Sequence, residues 1–259
     1  MKLNLNNTFT IAKYTAKEIL KSKILISTLI IGLALFVLTF VAYSFSYGDP
    51  ARIAIDFGLG MLSLSSVGIA TFIGVSLLFD EIEQRTIYQI ISRPVGRNTF
   101  LLGKTFGLIS VLVINILILS FVSVALYLFL DGEMNNLIVW SIIFTVVEAI
   151  MVLVIVSFFS LLTSKVLSVL LTISLYIVGH AIGGVKLLTF VKDRPFLEYI
   201  IDGYQFLLPG FYKLNIKDFV LYKKSLPTEY LFSSLSYGIL YSLGVVCLSI
   251  FIFNKKDLN

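Results

Sequence analysis

Residues 80–104 read DEIEQRTIYQIISRPVGRNTFLLGK and form the longest strongly polar interruption in the first half of an otherwise apolar sequence. Residues 81–91 contain neither Gly nor Pro, and their isoleucines recur near helical spacing, which predicts a short amphipathic helix. Arg93 precedes Pro94, and a residue before proline is disfavoured in the α region, so this helix is expected to end there. We therefore expect a polar helix that joins two membrane spans on one side of a bilayer. The alternative is a solvated interfacial loop.

The composition of the chain excludes an ordinary soluble domain. Apolar residues make up 58% of the 259 residues and the mean hydropathy is +0.98, whereas globular proteins are about 45–50% apolar. The net charge of +5 is modest and does not indicate a nucleic-acid-binding protein. Cys247 is the single cysteine, which excludes an intrachain disulfide and a cysteine-cluster metal site. We expect a single membrane domain over residues 1–259.

Apolar runs long enough to cross a bilayer recur along the chain. They cover residues 24–43, 57–79, 106–130, 137–162, 166–185 and 230–253. A span needs about 20 helical residues, and helices satisfy their own backbone hydrogen bonds in lipid. The runs do not alternate as the strands of a barrel do. The predicted fold is an all-α polytopic membrane protein with six transmembrane helices, a cytoplasmic coupling helix between spans 2 and 3, and a long outer loop between spans 5 and 6.

An N-terminal amphipathic helix is predicted over residues 8–23. Lys13, Lys17 and Lys21 recur every four residues and line one face. The predicted opposite face carries Phe9, Ala12, Ala16, Ile19 and Leu20. Such a helix lies at a membrane interface, with apolar atoms among acyl chains and ammonium groups among headgroups. The alternative is that the lysines only set the topology.

Basic residues predict that both termini are cytoplasmic. The segments placed inside carry Lys2, Lys13, Lys17, Lys21, Lys23, Arg85, Arg93, Arg97, Lys104, Lys165, Lys255 and Lys256. The two short outer loops carry Arg52 beside several carboxylates, as the positive-inside rule requires. The long loop, 186–229, is also basic, but long loops translocate with less regard to charge. Its many aromatic residues favour a structural cap over the spans, and a lid over an export path is the alternative.

Glu148 is the ionisable residue placed deepest within a predicted span. A charge there costs about 2.5–3.5 kcal/mol on insertion scales, so Glu148 is a polar contact in a translocation path, a proton site, or a helix-packing contact to Asn115 or a nearby hydroxyl. His180, the only histidine, is expected to have a packing or interfacial role. Gly179 and Gly183 have the small-xxx-small spacing of a helix contact, or mark a flexible helix end.

The polar stretch resembles the coupling-helix region of ABC-2 type transporter permeases. The resemblance rests on Glu81, Glu83, Thr86, Ser92, Pro94, Val95, Arg97, Leu102, Gly103 and Lys104. Arg85 departs from it, since many members have Gly there. Leu208-Pro209, residues 214–218 and the final Phe253-Asn254-Lys255-Lys256-Asp257 follow the family's usual order. The resemblance implies an N-terminal elbow helix and a dimer seam that involves the fifth span. It also implies that the following residues couple the chain to an ATPase: Asp80, Glu81, Glu83, Arg85, Thr86, Arg93, Pro94 and Arg97.

No stretch of the chain has the spacing of a phosphate-binding P-loop. Gly103-Lys104-Thr105 would need glycine at position 98, where Asn98 stands. We therefore expect a non-enzymatic transport subunit without a cofactor of its own, in a prokaryotic plasma membrane. Its expected partners are two copies of an ABC ATPase that carries ATP and magnesium, a second permease copy, identical or related, and membrane lipid. A proton-coupled carrier that uses Glu148, and a membrane anchor without transport, are the alternatives. The sequence does not identify the substrate.

Overall fold

The computed structural model describes residues 5–21, 24–45, 49–83, 96–185 and 208–255, with residues 191, 194, 196–197, 199, 201 and 203–204 of the intervening segment. Its helices are α1 (Leu5–Lys21), α2 (Ile24–Phe45), α3 (Pro50–Glu83), α4 (Arg97–Phe129), α5 (Asn136–Leu162), α6 (Lys165–Val185), α7 (Lys217–Leu221) and α8 (Thr228–Lys255). A 3₁₀ turn covers Phe211–Lys213. The described residues contain no strand, so the predicted all-α class is confirmed.

Five helices are long and apolar enough to cross a membrane. They are Pro50–Val75 within α3, Arg97–Phe129, Asn136–Leu162, Lys165–Val185 and Thr228–Lys255. These helices contain five of the six predicted apolar runs. The remaining run, 24–43, lies in α2, a helix of 22 residues that is not among these five. The protein is therefore a helical chain with multi-pass membrane character, and the sixth span stays a prediction.

Helix α3 differs from its prediction at both ends. It begins at Pro50, because the Asp49 side chain accepts a hydrogen bond from the Ala51 backbone N–H at 3.1 Å and proline suits the first helical position. It is helical through Asp80, Glu81 and Glu83, so the prediction that a helix begins at Glu81 is wrong. No Gly or Pro interrupts the chain near Phe79, and the acidic residues therefore do not lie at a helix N-terminus.

Helices α3, α4 and α5 form the centre of the bundle, and α5 has the largest buried share of the five. Gly74 of α3 lies directly against Val156 of α5, where a larger residue would not fit. The Ser157 hydroxyl of α5 donates to the Gly74 carbonyl at 3.3 Å across this contact. Glycine thus brings the two backbones close enough for a hydrogen bond between helices.

Helix α1 packs along the first turns of α4, and its contacts correct the sequence prediction. Thr8 and Thr15 are buried, and they face Gly103 and Gly107 of α4. Phe9 was predicted on the face opposite the lysines, but it precedes Lys13 by four residues and therefore shares the lysine side of the helix, where it is 73% exposed. Ala16, Ile19 and Leu20 pack on the protein core where acyl chains were expected. The interfacial position of α1 stays a prediction.

The bundle has two ends of different charge. One end holds α1, the start of α4, the α5–α6 turn and the end of α8, and we call it the basic end; its described ionisable side chains include Lys13, Lys17, Lys21, Arg97, Lys104, Lys165 and Lys255. The opposite end, called here the loop end, mixes both signs, with Asp49, Arg52, Asp56, Asp131, Glu133, Lys217 and Lys223. Segment 208–227 lies at the loop end and buries Phe211, Leu214, Ile216 and Val220 against the core.

Candidate functional site: a polar cavity at Glu148

Glu148 lies in the interior of α5 and is 4% exposed. It is about 18 Å along the helix from Asn136, at about 1.5 Å per residue. Its Oε1 lies 2.7 Å from Nε2 of His180 on α6. The two residues form a hydrogen-bonded pair between antiparallel helices. The partner that the structure shows for Glu148 is therefore His180, while Asn115 donates its amide to the Val111 carbonyl at 2.8 Å.

Aromatic rings fix the orientation of the His180 imidazole. The Phe211 ring is stacked on it at 5.9 Å between centroids, and the Tyr176 ring meets it edge-on at 4.6 Å. Tyr176 precedes His180 by one helical turn, so both side chains project from the same face of α6. Phe211, from the segment at the loop end, also contacts the Tyr176 ring, at 5.1 Å between centroids. His180 therefore packs against aromatic rings, as predicted, and it also forms a hydrogen bond with Glu148, which was not predicted.

Hydroxyl groups extend this pair toward α3. The Tyr176 hydroxyl lies near enough to the Glu148 carboxylate to interact with it, and it is 3.5 Å from the Ser63 hydroxyl of α3. Thr145, one turn before Glu148 on α5, donates its hydroxyl proton to the Ser141 carbonyl at 2.9 Å. Polar groups of α3, α5 and α6 therefore converge on one point within helices that are otherwise apolar.

These groups line a cavity of about 260 Å³. Its walls are Leu59, Gly60, Ser63, Leu64, Ser141, Thr145, Glu148, Tyr176, Leu214, Asn215, Ile216 and Lys217. Glu148 and Tyr176 thus share a wall with Leu214–Lys217, which belong to the segment at the loop end. A carboxylate, hydroxyls and an aromatic ring around one concave space have the composition of a small-molecule binding site.

An ion pair joins α3 to α7 at the edge of this cavity. The Lys217 ammonium lies 2.6 Å from Oδ1 of Asp56, and both side chains are partly exposed. The same ammonium would lie 3.0 Å from a Cβ atom placed on Gly60. The charge of Lys217 is therefore already matched by Asp56, and Glu148 is the carboxylate of the cavity itself.

A larger cavity of about 510 Å³ lies at the loop end, among Asp49, Arg52, Asp131, Glu133 and Lys223. The Lys223 ammonium donates to Glu133 at 3.2 Å, and this hydrogen bond, together with the charge of the carboxylate, raises the pKa of Lys223. Both side chains are mostly exposed, so this pair contributes little to stability. Among the described residues, no group of three or more His, Cys, Asp or Glu side chains is placed to hold a metal ion.

Gly179 and Gly183 pack against a loop of the same chain. A Cβ atom on Gly179 would lie 2.5 Å from the Pro209 carbonyl oxygen, and one on Gly183 would lie 2.6 Å from the Tyr212 ring. Among the described residues, the nearest neighbours of both glycines thus belong to residues 209–212. It positions Phe211 over His180, so both glycines support the site without lining the cavity.

Those of the predicted coupling residues that the structure describes lie far from the cavity, around the basic end. Asp80, Glu81 and Glu83 belong to α3, while Arg85, Thr86, Arg93 and Pro94 lie outside the described residues. Arg97 is the first residue of α4, after Gly96 at the N-cap. The Arg97 guanidinium donates to the Asn254 carbonyl near the end of α8 at 3.4 Å.

Sequence reasoning missed Tyr176, Ser63 and Lys217 as parts of the site. The spacing of Tyr176 and His180 on one helix face was a usable signal, but Ser63 and Lys217 come from distant segments and carry none. Neither a scan against models of known protein families nor a search of curated proteins finds a match for this chain. Its function is therefore inferred from its own residues and their arrangement.

Proposed function

We propose that the chain is the membrane subunit of an ATP-driven transporter of the ABC-2 type, acting as an exporter with its ATPase on a separate chain. The observation that carries this proposal is the polar cavity at Glu148 within a bundle of span-length helices. A buried carboxylate is costly in such a bundle, and an anchor without transport has no need of one. The resemblance of residues 80–104 to coupling segments is the reason for proposing that ATP hydrolysis on a partner chain drives the transport.

The connectivity of the helices supports a coupling role for residues 80–97. The segment joins α3 to α4, both central in the bundle, and Arg97 also contacts the end of α8. α3 lines the cavity with Leu59, Gly60 and Ser63. A displacement of the segment by an ATPase would therefore move a wall of the cavity. Alternating access then follows from two packings of the bundle, whose populations are biased by closure of the ATPase pair.

The assembly that we propose contains two permease chains and two ATPase chains in a prokaryotic plasma membrane. Two helices leave most of their surface uncovered: the most apolar windows of α6 and α8 are 22% and 17% buried. Lipid and a second copy of this chain would cover these faces. In this arrangement α2 is the sixth span, the basic end faces the cytoplasm with both termini, and the loop end faces outward.

A second candidate function is favoured by the Glu148–His180 pair. Two titratable side chains in contact between two spans can hold and pass a proton, so the chain could act alone as a proton-coupled carrier. The two functions differ in their energy source. Collapse of the proton gradient at constant ATP would leave ATP-driven export running and stop the carrier.

Charge reversal of the coupling segment tests the preferred function. In Glu81→Lys with Glu83→Lys, we expect the spans to insert normally, because both changes lie outside the apolar windows. Transport should fall at least tenfold, and the ATPase should no longer co-purify with the chain. The matched control, Glu133→Lys with Glu229→Lys, reverses two charges at the loop end. Wild-type transport and co-purification in the first variant would refute residues 80–97 as the coupling element.

A further inference from the structure

We propose that the Glu148 cavity binds the ammonium group of the transported molecule. The inference names the substrate class of the proposed transporter and rests on that function. A carboxylate has about four lone-pair positions. His180 occupies one of them through Oε1 of Glu148 at 2.7 Å, and Tyr176 interacts with the same group. The carboxylate lines the cavity and has acceptor capacity left for a donor inside it.

The Thr145 hydroxyl, which also lines the cavity, suits a donor better than an acceptor. Thr145 already donates its hydroxyl proton to the Ser141 carbonyl, so it can offer only lone pairs to a ligand. An ammonium group has three donors and no acceptor, which matches the lone pairs that Glu148 and Thr145 offer. The ring of Tyr176 lines the same space, and aromatic faces attract cations within about 6 Å.

The charges around the cavity exclude the opposite ligand class. Among the described residues that line the cavity, Lys217 is the one Lys or Arg, and it is paired with Asp56 at 2.6 Å. An anion would therefore meet the Glu148 carboxylate without an unpaired lysine or arginine of this lining to offset it. His180 directs Nε2 at Glu148, and its ring contacts the rings of Tyr176 and Phe211, which also contact each other. A metal ion is not favoured either, because the described residues contain no cluster of three suitable ligands.

The size of the cavity limits what enters it. Sites for drug-sized ligands have about 300–1,000 Å³, and this cavity has about 260 Å³. It accommodates an ammonium head and a few adjoining atoms. The remainder of a longer molecule would stay outside. Two sources carry this chemistry: a small free amine, and the headgroup of phosphatidylethanolamine.

A binding measurement on the full chain tests the ammonium site without any transport. The chain is purified into phosphatidylcholine nanodiscs and titrated with radiolabelled ethanolamine. We expect saturable binding that is displaced by unlabelled ethanolamine but not by ethylene glycol, the neutral analogue of similar size. Glu148→Gln keeps the shape and removes the charge, so its affinity should fall at least tenfold. Glu133→Gln makes the same change at the loop end and should bind as the wild type does.

Two further measurements separate loss of binding from misfolding and identify the source of the amine. Thr145→Val is nearly isosteric and removes one acceptor oxygen, so it should weaken binding severalfold while thermal unfolding stays unchanged. Nanodiscs with phosphatidylethanolamine should suppress ethanolamine binding if the lipid is the ligand, and should leave it unchanged if a free amine is. Absence of saturable binding, equal competition by ethylene glycol, or full binding by a folded Glu148→Gln would overturn the inference. Such a failure would not refute the permease proposal, because the charge reversal of Glu81 and Glu83 tests that proposal separately.

Discussion

Gly107 of α4 lies against Thr15 of α1 so closely that a Cβ atom on the glycine would be 2.7 Å from the Thr15 Cβ and 2.8 Å from the Ala12 carbonyl oxygen. Gly103, one turn earlier, meets Ile11 and the Thr8 carbonyl in the same way. The two glycines form a small-xxx-small contact on which α1 packs. The N-terminal helix is thus held to α4 by backbone contact as well as by its apolar residues.

We expect Gly107→Ala to separate α1 from α4, because the backbone carbonyl of Ala12 has no room to yield. Overpacking of this kind costs about 1–3 kcal/mol. The control is Gly68→Ala within α3, where an added Cβ meets nothing within 4 Å; the helical preference of alanine should make this variant neutral or slightly more stable. Thermal unfolding of both purified variants in detergent measures the difference. Equal midpoints would contradict the close contact between α1 and α4.

The sequence was most informative where one residue or one run decides the structure. Apolar runs of span length predict helices, since helices satisfy their own backbone in lipid, and five such helices are present. Glu148 was identified because a carboxylate amid apolar residues needs a partner. Its partner, His180, is 32 residues away and depends on how far α6 slides along α5. No periodicity in either helix encodes that displacement.

The sequence predictions that were wrong or incomplete differ in whether the sequence held a usable signal. Phe9 was assigned to the wrong face of α1 because hydrophobic character was weighed above its four-residue spacing from Lys13. The start of α3 at Pro50 could have been predicted from Asp49-Pro50, a capping residue followed by proline. The positions of Ser63 and Lys217 at the cavity could not have been predicted, because tertiary packing alone brings α3 and α7 to it.

The Glu148–His180 contact should contribute measurably to stability. Glu148→Gln keeps an acceptor for His180, and intramembrane hydrogen bonds average about 0.6 kcal/mol, so a small loss is expected. Glu148→Leu leaves the nitrogen of the partly buried His180 without this partner, and a fully buried unsatisfied group costs about 1–3 kcal/mol, so a larger loss than in Glu148→Gln is expected. Thermal unfolding of the two variants provides the comparison. If Glu148→Leu is as stable as Glu148→Gln, the pair is not a structural contact.

Gly179 should control the position of Phe211 over His180. In Gly179→Ala the new Cβ would lie 2.5 Å from the Pro209 carbonyl oxygen and 2.7 Å from the Phe211 ring, so residues 209–211 must move outward. Hydrogen exchange of residues 211–221 should therefore become faster. Gly184→Ala on the same helix meets nothing within 4 Å and is the control. Unchanged exchange in Gly179→Ala would mean that the segment is held by other contacts.

The orientation of the bundle and the sixth span can be tested together by thiol labelling. Cys247 is exposed and is first replaced by serine. Single cysteines then go to exposed positions: Glu133 and Ser225 at the loop end, Ser164 at the α5–α6 turn, and Lys17 on α1. Gly132, also at the loop end, is not used for a cysteine, since a side chain there would collide with the Tyr127 ring.

An impermeant maleimide applied to intact cells should label the Glu133→Cys and Ser225→Cys variants and spare those at Ser164 and Lys17, because basic segments stay inside. After permeabilisation all four variants should react, which shows that each site is accessible. Labelling at Ser164 with protection at Ser225 would invert the topology and place residues 84–95 outside, where no ATPase could reach them. Labelling at both Lys17 and Glu133, with Ser164 spared, would mean that α2 does not cross the membrane. The chain would then have five spans, and its N-terminus would lie outside.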